Sequence, residues 1–443
     1  MTYDSHAFHT HSTRLHPAGT LLTQMLAAAT RAADPGQQLE RILRRDGTQL
    51  HIADETLSVQ SVVIIAVGKA ALRMAASACA ILGDLVASGV VVYKDDDHAP
   101  RYPQLAYHAA GHPVPDVRSQ TAARAVRHCV SQTTPDQCIL VLLSGGGSAL
   151  LVDPAPGITL AMIQELTQQL LASGATINHI NTVRRRIDRI KGGGLTAAAG
   201  STPLRTLILS DVIGNDLSTI ASGPTITNPD PADAAWHVLS TYGLTSHLPA
   251  PLVAALTSPK PTPAPQIPPP MIIGDIRVAL QAAATTASTA GFPVHILTDC
   301  LVGEARHVGS TLASIVDYHA RAGVACCLLA GGETTVTLRR AGAGGRNQEL
   351  ALALAIGLAS HTTGQPLCAA YASDGGDGPT DAAGAVVDHT SFQRACAIGI
   401  DPHQLLTQHD SYHFFAALDD HLHPGPTGTN VNDLFIALMT PPR

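Results

Sequence analysis

The chain has 443 residues, enough for two or three domains that each bury their own core. Only 14% of residues are charged, aromatics are 3% and the formal net charge is −7, which argues against the basic, stacking surface of a nucleic-acid binder. No apolar run reaches the roughly 20 residues of a membrane span, and the first residues do not read as a secretory signal, so a cytoplasmic protein with no membrane partner is expected.

The eight cysteines are scattered without a CxxC pair, and read as reduced core residues. Residues 1–17 carry His6, His9, His11 and His16, and read as a polar tail rather than a metal tract. Residues 21–43 have helical spacing, broken near Asp34-Pro35-Gly36. Residues 61–67, SVVIIAV, predict a buried strand, followed by Gly68-Lys69 and an Ala-rich helix over 70–82. A lysine at the carboxyl end of such a strand sits where ligands bind in α/β sheets; the alternative is a solvated surface lysine. A second strand over 89–93 runs into Lys94-Asp95-Asp96-Asp97, read as a loop. Residues 111–116 are turn-rich; His112 is either a general base or a histidine hydrogen-bonded into a rigid loop.

After a helix ending near 129, the stretch 140–151, LVLLSGGGSALL, organises the first half. A buried strand stops at Ser144, and Gly145, Gly146, Gly147 and Ser148 follow. Glycines there let backbone approach a ligand, and a following helix would direct N–H groups at an anion such as phosphate. The loop is neither GxGxxG nor a Walker A sequence, so alone it also fits a tight turn. A helix is expected over 160–172. Residues 181–195, NTVRRRIDRIKGGGL, are the most basic piece of an acidic chain, either facing an anion or salt-bridged to acidic neighbours. A strand over 205–209 leads to Asp211 and Asp216, placed to hold Mg²⁺ or to form local Asx turns.

Proline density over 258–270, SPKPTPAPQIPPP, predicts an extended spacer and the domain break. The expected domains are 18–260 and 271–443. Further strands are expected at 271–273, 294–297, 324–329, 367–372 and 434–438, with polar loops carrying Thr298-Asp299, residues 331–334, residues 373–378 and GPTGTNVND at 425–433. Gly344-Gly345-Arg346 opens a helix, so backbone N–H groups and a guanidinium form another anion site. The fold expected is two Rossmann-like, doubly wound α/β domains with the active site in the cleft between them. Glycine loops, carboxylates and single Lys/Arg residues at strand ends point to phosphoryl transfer onto a small acid.

The motif set resembles the class II glycerate 2-kinases, whose C-terminal part is the MOFRL domain. The matching pieces are VGKAA (67–71), GHPVPD (111–116), LLSGGGSALL (142–151), NTVRRRIDRIKGGGL (181–195), LILSDVIGNDLSTIASGPT (207–225), GGETTVTL (331–338), GGRNQELALALA (344–355), SDGGDGPTDAAG (373–384) and GPTGTNVNDL (425–434). The resemblance implies ATP-dependent conversion of D-glycerate to 2-phosphoglycerate, with ATP and Mg²⁺. It implies Lys69 and Arg346 as the leading active-site residues, joined by Asp211. It places nucleotide phosphates on Ser144–Ser148 with Lys191 and Gly192, substrate on Lys69, Arg346, Asn347 and Glu333, and metal on Asp211 and Asp374. The family often reads RKH where this chain has Arg184-Arg185-Arg186, Thr at Gly376 and Arg at Gly194. Some relatives carry a hydroxypyruvate reductase name, but no GxGxxG follows a strand here. A non-catalytic sugar-acid sensor is the alternative of a different class. The oligomeric state is open, a homodimer being one option.

Overall fold

A computed structural model describes residues 3–94, 99–258, 267–338, 342–359 and 365–440. The chain divides into two compact α/β units, one formed by Pro35–Ile273 and the other by Met1–Asp34 together with Gly274–Arg443. Among the described residues, no helix is long and apolar enough to cross a membrane.

The first unit begins with the helix Pro35–Ile42, followed by a small antiparallel sheet of β1 (Leu43–Asp46), β2 (Gln49–Ile52) and β3 (Glu55–Ser58). Its main sheet uses β4 (Ser61–Val67), β5 (Val86–Tyr93), β6 (Leu105–Ala109), β7 (Gln137–Leu143), β8 (Leu204–Leu209) and β9 (Met271–Gly274), in the order β6-β5-β4-β7-β8-β9. The pairings from β6 to β8 are parallel. β4 and β7 are buried after their first residue, because helices cover both faces of a parallel sheet and polar alternation has no use there. The chain leaves β4 toward β5 and β6, then returns to the other side for β7 and β8. β4 and β7 therefore flank the point where strand order reverses, the usual ligand crevice of an open α/β sheet. The helices Leu160–Ala172, Ile177–Ile187, Ala234–Thr241 and Ala250–Thr257 pack around a core of their own, centred on Leu166, Ile180, Leu239 and Leu252.

The second unit holds β10 (Val294–Glu304), β11 (Cys326–Thr335), β12 (Gln365–Ala372), β13 (Gly384–Asp388), β14 (His421–Leu422) and β15 (Asp433–Thr440), in the order β10-β11-β15-β12-β13-β14. The sheet is mixed: β10 and β11 are parallel, and the pairings from β11 to β14 are antiparallel. Buried residues of the helices Ala305–Arg321 and Arg346–Gly357 share one core with this sheet.

Four expectations are corrected. Residues 271–273 form an edge strand of the first sheet, where Ile272 joins that sheet's core, so the second unit does not start at 271. Residues 18–34, expected in the first domain, belong to the second unit. The helix Gly19–Ala32 buries Leu22, Met25 and Leu26 and lies against the helix Ile276–Thr289, and Thr30 bonds the Tyr371 hydroxyl at 3.0 Å. The histidine-rich start is no free tail: Phe8 is buried edge-on to Tyr371, and Ser12 Oγ, with its one proton, lies 2.9 Å from both Asp388 Oδ2 and Asp420 Oδ2. Finally, β10 and β11 run past their apolar cores, so Thr298-Asp299 and residues 331–334 lie within strands. Most of the proline-rich segment, residues 259–266, lies outside the described residues, as do Asp95, Asp96 and Asp97 of the expected loop.

Candidate active site

In the first unit, the turns after β4 and β7 are locked together. Lys69 N–H donates to Gly145 O at 2.8 Å, and Ala70 N–H to Ser144 Oγ at 3.0 Å. The approach is so close that a Cβ on Gly68, at φ 129°, would fall 2.3 Å from Ser144 Oγ. Gly146 adopts φ 84°, and a Cβ there would meet the His112 ring at 3.0 Å and Lys69 Cγ at 3.5 Å. Lys69, His112 and the glycine loop therefore share one place. Among the described residues, no protein acceptor engages the amides of Gly145, Gly146, Gly147 or Ser148. The helix after the loop is a single turn, Gly147–Leu150, so the loop amides rather than a long helix dipole supply the positive end.

A second loop backs this one. Ala221 and Ser222 hold φ of 50° and 60°, a left-handed conformation that costs a non-glycine residue about 1–2 kcal/mol and points to function when it persists. Ala221 Cβ sits 2.7 Å from where a Gly147 Cβ would stand, so position 147 has no room for a side chain. Ser222 Oγ bonds Ser148 Oγ at 2.8 Å and Asn181 Oδ1 at 3.1 Å. Gly192 N–H donates to Ser222 O at 3.0 Å, tying the KGGG turn to the same loop.

Three cations of the basic stretch, Arg185, Arg189 and Lys191, are paired with acidic neighbours, whereas Arg184 meets Asn181 Oδ1 at 3.4 Å. Arg185 grips Asp230 with Nε and Nη2 at 2.7 and 3.0 Å. Lys191 is corrected as a nucleotide contact through its side chain. Its ammonium faces inward, 2% exposed, donating to Leu151 O at 2.6 Å and Asp188 Oδ2 at 2.9 Å. Burial pushes its pKa down, and Asp188 opposes the shift. Asp216 accepts from Ser218 and Thr219 and so shapes its own loop. Asp211 is half-buried just past β8.

In the second unit, Arg346 stands at the start of its helix. Asp433 accepts from its Nε at 2.5 Å and its Nη2 at 3.0 Å, and Glu333 from its Nη1 at 2.7 Å. Sheet register builds this group: Gly332 pairs with Asp433, which also pairs with Ala372. Burial pushes the Asp433 carboxyl up to about 6, with Arg346 pulling the other way. Asp377, fully enclosed, accepts from the Asn347 and Gln348 amides at 3.0 and 2.9 Å and caps the same helix. Asn347 Nδ2 also points to Asp377, at 3.2 Å, and the same side chain bonds Asp433, so it ties the helix cap to the Arg346 group. Asp374 is half-buried, with Oδ1 accepting from Gly376 N–H at 3.2 Å. Asp433 and Asp377 were not singled out from sequence, although both lie inside quoted motifs. Among the described residues, no group of three or more His, Cys, Asp or Glu could hold a metal alone. Asp211, just past β8, and Asp374, just past β12, are each the kind of single carboxylate that Mg²⁺ accepts beside phosphate oxygens and water.

Residues 21–257 match the model for a domain of unknown function, DUF4147, and residues 326–433 match the MOFRL family. D-glycerate 2-kinase of Thermotoga maritima is 40% identical over 387 residues, covering 86% of this chain and 92% of that protein. The chain belongs to the glycerate kinase family with a C-terminal MOFRL domain. The crystal structure of the glycerate kinase from Thermotoga maritima superposes with a TM-score of 0.84 at 36% identity, covering 95% of this chain and 99% of that one. A protein of Agrobacterium vitis provisionally named hydroxypyruvate reductase is 42% identical, covering 85% of this chain and 99% of that protein.

Two departures from the glycerate kinase pattern have a physical reading. A Cβ at Gly194 would lie 2.1 Å from Arg189 O, so this turn is drawn tighter than an arginine there would permit. At Gly376 nothing lies within 4 Å, so the threonine common in glycerate kinases would fit without rearrangement.

Proposed function

We propose that this chain transfers the γ-phosphoryl group of ATP to the 2-hydroxyl of D-glycerate, giving ADP and 2-phosphoglycerate. The observation that supports the reading best is the Lys69 turn bonded to the glycine loop at the reversal point of the first sheet. It offers unengaged backbone amides and a cation together, which suits phosphate oxygens. In this reading Ser144, Gly145, Gly146, Gly147 and Ser148 cradle the nucleotide phosphates, and Gly192 supports the loop behind them. Lys69 meets charge developing on the transferring group. Arg346, with Glu333 beside it, takes the glycerate carboxylate through its planar fork. Asp211 accepts the proton of the attacking hydroxyl; Mg²⁺, where bound, would be held by a single carboxylate such as Asp211 or Asp374 and would supply charge neutralisation on the phosphates.

The relatives named D-glycerate 2-kinase and glycerate kinase support the reaction class. The provisional reductase name of another relative would require a dinucleotide crevice, and the turn after β4 reads GKAA, not GxGxxG. A coupled assay of ADP release with D-glycerate, run beside NADH oxidation with hydroxypyruvate, decides between them. ADP release dependent on D-glycerate upholds the kinase; hydroxypyruvate-dependent NADH loss alone overturns it.

A further inference from the structure

The first unit contains a cavity of about 730 Å³ that none of the residues discussed for phosphoryl transfer lines. One wall is the helix Val117–Ser131, which presents Gln120, Arg124, Arg127 and His128 at positions i, i+4, i+7 and i+8, one helical face. Facing them are Asp153, the turn after it, and Arg189. Three guanidinium groups thus line the cavity with one carboxylate. Arg127 Nη1 reaches Asp153 Oδ2 at 2.7 Å, and Arg189 Nε stands off at 3.7 Å. Asp153 is itself nearly closed off, with 5% of its side chain exposed. Arg127 Nε is buried with no acceptor among the described residues, and no side-chain acceptor is found there for Arg124. The charges outnumber their partners, and the volume lies in the range that encloses a metabolite of moderate size.

We propose that this cavity is a second binding site, for a small molecule carrying two or three negative charges as carboxylates or phosphates. Arginine suits both, because its planar donors match two oxygens of either group. The cavity floor also touches the loops of the candidate active site. Asp153 N–H donates to Asp188 Oδ2 at 3.1 Å, and Asp188 carries the Lys191 ammonium, whose turn bonds the Ser222 loop. A ligand competing with Asp153 for Arg127 would pull on that chain of contacts.

The test is isothermal titration of the full chain with citrate and, separately, with inorganic pyrophosphate, both in the presence of saturating ADP to occupy nucleotide-phosphate contacts. The wild type is expected to bind one probe at one per chain. Citrate binding identifies a polycarboxylate site and pyrophosphate binding a phosphate site. The double variant Arg124→Ser/Arg189→Ser is expected to weaken that binding at least about tenfold while leaving kcat with D-glycerate unchanged. Arg124→Ser alone, at the surface, keeps the test readable should the double variant lose stability, with about a threefold loss expected. Absence of binding by either probe at millimolar concentration overturns the proposal, as does equal binding by wild type and variants.

Discussion

Asp433 holds Arg346 through both carboxylate oxygens, at 2.5 Å to Nε and 3.0 Å to Nη2, leaving Nη1 to Glu333. The guanidinium is thereby aimed before any ligand arrives. Lysine keeps the charge but cannot span both oxygens. Arg346→Lys is expected to lose at least about 1.5 kcal/mol in kcat/KM, roughly tenfold. A loss confined to KM for glycerate supports a grip on the carboxylate; one confined to kcat moves Arg346 to the phosphoryl group.

The same pair predicts a pH dependence. Burial raises Asp433 from 3.8 to about 6, so between those values the folded state holds a proton that the unfolded state has released. Ionising Asp433 therefore costs stability as pH rises toward about 6, and the cost persists above it. Activity runs the opposite way, because only the ionised carboxylate orients Arg346. The kcat/KM profile for glycerate should fall as pH drops through about 6, and Asp433→Asn should lower the plateau and flatten that limb. An unchanged limb in the variant would assign it to another group.

Lys69→Met is expected to keep its fold and lose about 10²–10³ or more in kcat, the scale of one preorganised charge at a developing phosphoryl charge. Thermal melting and the coupled assay check the two halves of the statement. Near-native kcat in a folded variant would remove Lys69 from the mechanism.

Gly147→Ala should clash with Ala221 Cβ, 2.7 Å from the new methyl, at about 1–3 kcal/mol of stability, and should raise KM for ATP by displacing the loop. Ala221→Gly removes the opposing methyl and relieves a φ of 50°, so the double variant should recover most of the loss. Additive losses would mean that the two positions do not touch.

Lys191→Met should act on stability, not on the chemical step. It leaves Asp188 buried without its cation, a change of about 3–5 kcal/mol, and Asp188→Asn in the same chain should restore part of it. A large KM change for ATP without loss of melting temperature would return Lys191 to the nucleotide site.

What the sequence revealed follows what is local. β4 and β7 were legible because six consecutive buried positions leave an uninterrupted apolar run, and their turns were legible because Gly68-Lys69 and the SGGGS loop break it sharply. Asp433 was not, since its role depends on register with Gly332 and Ala372, set by strands distant along the chain. Lys191 read as a nucleotide contact; Asp188 stands three residues before it, but the enclosure also needs Leu151 O, 40 residues away, which no local pattern announces. The edge position of β9 and the pairing of the helices Gly19–Ala32 and Ile276–Thr289 likewise come from partners far away along the chain.

The unit that joins Met1–Asp34 to Gly274–Arg443 imposes an order on synthesis. A ribosome delivers the helix Gly19–Ala32 early and its partner helix Ile276–Thr289 only after the whole intervening unit has emerged. Pro35–Ile273 can fold during that interval, while Leu22, Met25 and Leu26 stay exposed to whatever binds apolar helices in a nascent chain. β15, lying between β11 and β12, arrives after both neighbours, so the sheet must be left open until translation nears its end. Nascent chains stalled at the length that brings Ile273 out of the ribosomal tunnel while the helix Ile276–Thr289 is still inside it should accordingly protect Pro35–Ile273 from protease and yield cleavage within residues 3–34.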